Sequence, residues 1–272
     1  LTGNINERTW NTQRKALYAR FSQGFALLDS LNTYSDAESF VSAALSKVIK
    51  INNICDNTHL DDCGINASYV TLNGIASSMP TTLAELNTKI TSMSVSTDQP
   101  YSHSQDNTPA VAFETQNGES IILFYNPLCQ GDMAETSWFY VQPKVCVNMI
   151  YDLNGSKGPN TVGKDIGFIT VLHPSDSNIV APLPHVSDVG SNVYQENAAA
   201  TCSRSDNEYR IPNADELTAM FINQNLLGME DGFYWSSTRV TSTTAWRQNF
   251  ITGVRADHVI TGLGSSVRCV KR

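Results

Sequence analysis

Charge is scarce in this chain: 16% of its 272 residues are charged, and acidic side chains outnumber basic ones, 26 against 18, for a net charge of -8. A nucleic-acid partner held by phosphate neutralisation is therefore not expected. No apolar run reaches transmembrane length, and no signal peptide opens the sequence. A CxxC pair, a GxSxG elbow, a P-loop, an HExxH motif and a dinucleotide fingerprint are all missing. Those absences disfavour an enzyme, and no cofactor, metal or catalytic residue is expected.

What is present is a globular composition, 41% hydrophobic, with six cysteines. Cys55, Cys63, Cys129, Cys146, Cys202 and Cys269 lack zinc-ligand spacing and read as a disulfide framework, which places the chain in an oxidising, extracytoplasmic compartment. Several connectivities are open to six cysteines; nearest neighbours are the pairing expected. The five histidines, His59, His103, His173, His185 and His258, are scattered and form no ligand pair.

Along the chain, residues 4–32 combine good helix formers with Trp10, Leu17, Phe21 and Leu28 on one stripe, predicting a long amphipathic helix. The sequence "SDAE" from Ser35 to Glu38 reads as a capping box, as do Thr82 to Glu85 and Asn213 to Glu216. "AVAFETQNGESIILFY" is two apolar runs around Asn117-Gly118, a hairpin signal. Further strands are expected in "KVCVNMIYD" and "DIGFITVL". Residues 173–200 carry prolines without periodicity and read as a linker or extended arm between residues 1–172 and residues 201–272.

The stretch "NINERTWNTQRKALYARFSQGFALL" resembles the solvent-side half of the N-terminal helix of type IV pilins and pseudopilins. "YDLNGSKGPNTVGKD", Tyr151 to Asp165, is similar to a loop of bacterial pilin-like proteins. "YRIPNADEL", "YWSST", "AWRQNF" and "VRCVKR" resemble, in order, the C-type-lectin-like domains related to formylglycine-generating enzymes and to retroelement-diversified phage proteins. The resemblances imply an α+β chain: a pilin-like long N-terminal helix packed on an antiparallel sheet in residues 1–172, followed by a C-type-lectin-like α+β domain in residues 201–272. They also imply pilin subunits as partners of the N-terminal helix, a membrane anchor in the native full-length protein, and a bacterial cell-surface or pilus location. A meeting of chain ends as neighbouring strands suits a Cys202–Cys269 bridge.

The segment Val254 to Ser266, "VRADHVITGLGSS", bears most directly on function. From Phe250 to Val270 every residue belongs to the set reachable by changing the two adenines of an AAC codon, as adenine-directed diversification by a retroelement produces. The competing reading makes the segment two ordinary strands with Ile251, Val254, Val259 and Leu263 in the core. Arg239, Trp246, Arg247, Arg255, Asp257, His258 and Thr261 are the candidate ligand-binding residues, because Arg and Trp dominate binding hot spots. The function expected is a surface-displayed minor pilin-like protein whose C-terminal domain binds a protein or glycan. The alternative is a structural pseudopilin of a secretion or pilus machine. Asp152, Asn154 and Asp165 raise the question of a calcium loop, with an ordinary turn as the simpler reading.

Overall fold

The computed structural model describes residues 2–89, 109–127, 129, 135–137, 140–141, 144–173, 179–184, 192–203 and 208–271. His103 and His185, with part of the proposed linker, lie outside these residues. Apolar β-branched and aromatic residues dominate the long strands, which form four antiparallel sheets among the described residues. The largest, of six strands, runs β1 (Ile51–Asp56), β4 (Val111–Thr115), β5 (Ser120–Tyr125), β8 (Lys144–Asp152), β9 (Ile166–His173), β10 (Ile179–Val180). A five-stranded sheet runs β12 (Phe233–Arg239), β13 (Thr244–Asn249), β14 (Arg255–Val259), β7 (Tyr140–Val141), β6 (Glu135–Ser137). Two small sheets pair β2 (Ser68–Val70) with β3 (Ala76–Ser78) and β11 (Tyr209–Arg210) with β15 (Val270–Lys271). The β4–β5 hairpin turns at Asn117-Gly118, where Gly118 takes φ +84°, a conformation a Cβ would disfavour.

The expected pilin-like architecture is corrected. The protein is mostly sheet, with one long N-terminal helix, α1 (Thr2–Ala26), and no pilin-like packing of that helix along a sheet. The helix is held by a few long side chains: Leu17, Phe21 and Phe25 enter a core with Phe113 and Tyr125 of the sheet, whereas Glu7, Arg8, Thr9, Thr12, Gln13 and Lys15 are exposed. The physical reason is a sparse stripe. Arg14 sits where the buried face would need an apolar residue, and Leu28 lies beyond the helix end. Most of the apolar residues follow a period of two or run continuously, and their burial is achieved between strands instead.

Shorter helices are α2 (Ala37–Ala43), α3 (Leu83–Leu86), α4 (Gln195–Ser203), α5 (Ala214–Ile222) and α6 (Gln224–Leu227). The α2 cap is Asp36 rather than Ser35: its carboxylate accepts from the Ser39 amide at 2.7 Å, and the Ser35 hydroxyl donates to the same carboxylate. An ionised acceptor at a helix N-terminus outcompetes a hydroxyl. At α5 the reciprocal box forms as its residues predict, Asn213 accepting from the Glu216 amide and Glu216 from the Asn213 amide, both at 2.8 Å.

The cysteines pair as Cys55–Cys63, Cys129–Cys146 and Cys202–Cys269, with Cα separations of 6.1, 4.9 and 5.6 Å, so no thiol is free among the described residues. Three disulfides suit an oxidising, extracytoplasmic environment. Among the described residues no helix is long and apolar enough to cross a membrane. Residues on the two sides of 173–200 share both core and sheet. Phe124, Ile150 and Phe168 pack in one cluster with Leu217, Phe221 and Phe250, and β14 pairs with β7 from far upstream. Within 173–200, β10 extends the large sheet and α4 carries Cys202 toward Cys269.

Candidate ligand-binding face

Strands β12, β13 and β14 pair as a meander, and their alternation divides the sequence-predicted residues between two faces. Trp235, Arg247 and Ala256 are cross-strand neighbours on one face; Ala245 and His258 are opposite one another on that same side. Trp246 and Asp257 are opposite one another on the other face, which also carries Gln248 and Arg255. The candidate set is therefore not a single cluster.

Each member has a distinct environment. Arg255 is buried and pinned from β14 to α5. Its Nε donates to Thr218 Oγ1 at 3.1 Å, and its Nη2 donates to the Ala214 carbonyl at 2.6 Å and to Asp215 at 2.7 Å. Burial lowers its pKa, with Asp215 opposing that shift. Its donors are engaged within the fold. Gln248 completes the layer, accepting from Thr218 at 3.0 Å and donating to the Gly253 carbonyl at 2.9 Å.

Arg247 is half-buried, with its guanidinium 4.0 Å above the Phe233 ring and an Nη1 bond to Ser265 at 3.4 Å. His258 stacks against the fully buried Trp235 with centroids 5.7 Å apart. Its pKa falls through burial and the nearby Arg247 charge, against an opposing contribution from Asp257, so the imidazole is held toward the neutral form. Trp235 donates its indole N–H to the Val193 carbonyl at 2.8 Å and belongs to the core; Trp246 is only half-buried. Arg239 and Thr261 are exposed.

Arg239 and Thr261 mark one end of the sheet. There the β12–β13 turn and the chain leaving β14 are joined by the Ile260 amide, which donates to the Thr243 carbonyl at 3.0 Å. Thr244 pairs with Val259, and the Val240 amide donates to the Thr244 carbonyl at 3.1 Å. Val240, Val259 and Leu263 are exposed by 40, 48 and 50%, although an apolar residue in the middle of the fold would be buried. Thr241, Thr243 and Thr261 add hydroxyls to the same end. The base is rigid: the Ile260 carbonyl accepts from the Gln195 amide at the start of α4, the Ser265 carbonyl accepts from Val193, and α4 is tied to the C-terminus by Cys202–Cys269. The exposed side chains at this end are thus aliphatic, hydroxyl-bearing and, at Arg239, cationic.

Sequence reasoning missed Val240, Val259 and Leu263 as surface residues. Ile251, Val259 and Leu263, the core of the competing reading, are each about half exposed, and Val254 is intermediate. No local signal could have found them: Val259 shares its strand face with the buried Arg255 and is exposed because it ends β14, and Ala245 and Gln248 are both buried though they lie on opposite faces of β13. In the loop of residues 152–165, Asp165 accepts from the Asn160 and Thr161 amides at 2.8 Å each and Asp152 from the Asn154 amide at 3.1 Å. These carboxylates hold the turn; among the described residues no group of three or more His, Cys, Asp or Glu side chains is placed to hold a metal ion. Comparison with protein families finds no family model that matches the chain, and comparison with curated proteins finds no match.

Proposed function

We propose that this is an extracytoplasmic binding protein that engages a protein or glycan ligand through the exposed end of its five-stranded sheet, with Arg239, Val240, Val259, Thr261 and Leu263 as the contact residues. One observation carries the reading: within "VRADHVITGLGSS" the aliphatic Val259 and Leu263 are about half exposed while the charged Arg255 is buried. The fold in this segment is held by polar pins and by backbone bonds, which leaves the outward side chains free to vary with the ligand. Diversification of codons at these outward positions fits such a surface, because a change there leaves no cavity and no buried charge behind.

The test is binding of the full chain to a glycan array and to intact cell surfaces, beside a Val259→Asp/Leu263→Asp double variant. Retained thermal stability with lost binding supports the reading; unchanged binding by the double variant defeats it. Sequencing codons 235–272 across a natural population supplies the second readout. Variation at 239, 240, 259, 261 and 263 with Arg255 and Gln248 constant is expected, and variation spread evenly over buried and exposed codons would contradict it.

A further inference from the structure

A cleft lies beneath the first half of α1, on the side of the molecule where that helix, β9, β10 and β11 converge. It has two adjoining compartments of about 860 and 580 Å³ that share Asn11, Arg14, Leu183 and Lys271 in their walls. These volumes are those of small-molecule sites. The cleft is separate from the exposed end of the five-stranded sheet, and its walls include Asn213 and Glu216 of the α5 capping box and Tyr151 and Gly163 of the 151–165 loop.

Its charges are unevenly satisfied. Lys271 pairs with Glu208 at 3.0 Å and Glu7 at 3.4 Å, and Arg210 grips Glu216 with two hydrogen bonds of 2.7 Å. Arg14 has no such partner. It is 7% exposed, yet no carboxylate of the described residues lies within 4 Å; its Nε donates to the Trp10 carbonyl at 3.3 Å and its Nη1 to the Gly163 carbonyl at 3.2 Å. Among the described residues Nη2 is left without an acceptor. Lys15, on the same wall and exposed, also has no ion pair among the described residues. Burial lowers the Arg14 pKa, with Tyr151, Glu7 and Asp165 opposing that shift but none of them in an ion pair with it, and an anion in direct contact relieves the remaining cost of burial.

We propose that this cleft binds a small ligand by its carboxylate, seated on Arg14. A monoanion is favoured over a phosphate because Glu7, Glu208 and Glu216 also line the walls, and a second negative charge would meet them. The planar guanidinium fork matches a carboxylate in shape. Asn11 supplies a polar contact, while Ile179 and Pro182 supply apolar ones, so the body of the ligand is part polar and part apolar. An acidic sugar and a short peptide with a free C-terminus share this chemistry.

The experiment is an NMR titration of the full chain, following the Arg14 Nε–H resonance, with glucuronate, an N-acetylated dipeptide and neutral glucose as probes. Saturable shifts with either carboxylate and none with glucose are expected, and the tighter of the two identifies the source. Arg14→Gln should weaken binding by about tenfold or more and Arg14→Lys by less, as expected for loss of a charge-assisted pair. No shift with either carboxylate at millimolar concentration, or equal binding of glucose, overturns the proposal. If Arg14→Gln does not fold, the wild-type titration with its glucose control decides the matter alone.

Discussion

The two large sheets solve burial in opposite ways. In the six-stranded sheet, β5 is buried along its whole length, and Phe113 meets Phe21 across the sheet–helix contact with centroids 6.4 Å apart. Apolar residues point in, and their shape holds the layer together. In the five-stranded sheet, Trp235 and Ala245 are buried on one face, while on the other Gln248 and Arg255 are buried and satisfied by Thr218, Asp215 and backbone carbonyls, and Val259 at the end of β14 is half exposed. A sheet held by directional bonds to a neighbouring helix depends little on what its outer loops carry. A sheet held by apolar packing depends on nearly every side chain in it.

That contrast can be broken by equivalent truncations. Phe113→Ala in the first sheet should cost about 3–5 kcal/mol, measured by urea unfolding, because a fully buried aromatic leaves a cavity among Phe21 and Tyr125. A loss no larger than that of a surface substitution would show that the helix–sheet core is loosely packed.

The next largest effect belongs to Asp152, at the end of β8, which burial pushes up to about 7, helped by the nearby Asp165 charge. The folded chain then holds this proton more tightly than the unfolded chain does. Its contribution is complete below about pH 4 and is lost as pH rises toward about 7, in total on the order of 4 kcal/mol. Asp152→Asn should flatten that slope and raise stability at pH 8, read from denaturant midpoints across the pH range. A slope unchanged by the substitution would assign it to another group.

For the second sheet, Arg255→Met should cost about 3 kcal/mol, since it strands Asp215 and leaves Thr218 and the Ala214 carbonyl without their donor. Restoration by Asp215→Asn in the same chain would show how much of the loss is the unpaired carboxylate. The smallest change is Leu263→Ser, half exposed, expected within about 0.5 kcal/mol of the parent in the same assay. A loss comparable to that of Phe113→Ala would mean that the loop end is part of the core, and the binding face would have to be sought elsewhere.

How much of this was legible beforehand follows from the range of each interaction. The Asn213–Glu216 box and the Asn117-Gly118 turn are closed by neighbours within a few residues, and both were read directly. Asp36 displaced Ser35 by one position because the relative strength of two adjacent acceptors, not the motif, decides the cap. The surroundings of the candidate residues were not legible: Arg239 and Thr261 are exposed, Arg255 is buried, and Trp246 and Arg247 point to opposite faces. Side-chain direction in a strand is known only once the pairing register is known, and a shift of one residue reverses it.

By itself the sequence determined the local devices: which segments cap, which turn, and an acidic, cysteine-paired composition suited to an oxidising compartment. Tertiary structure alone decided that β14 joins β7 from far upstream, that Arg14 is buried without an ion pair among the described residues, and that Val259 and Leu263 are half exposed. Those outcomes depend on partners tens to hundreds of residues away, and no local propensity carries information about them. The physical reason is that burial and charge pairing are properties of the assembled surface, while capping and turning are properties of the chain.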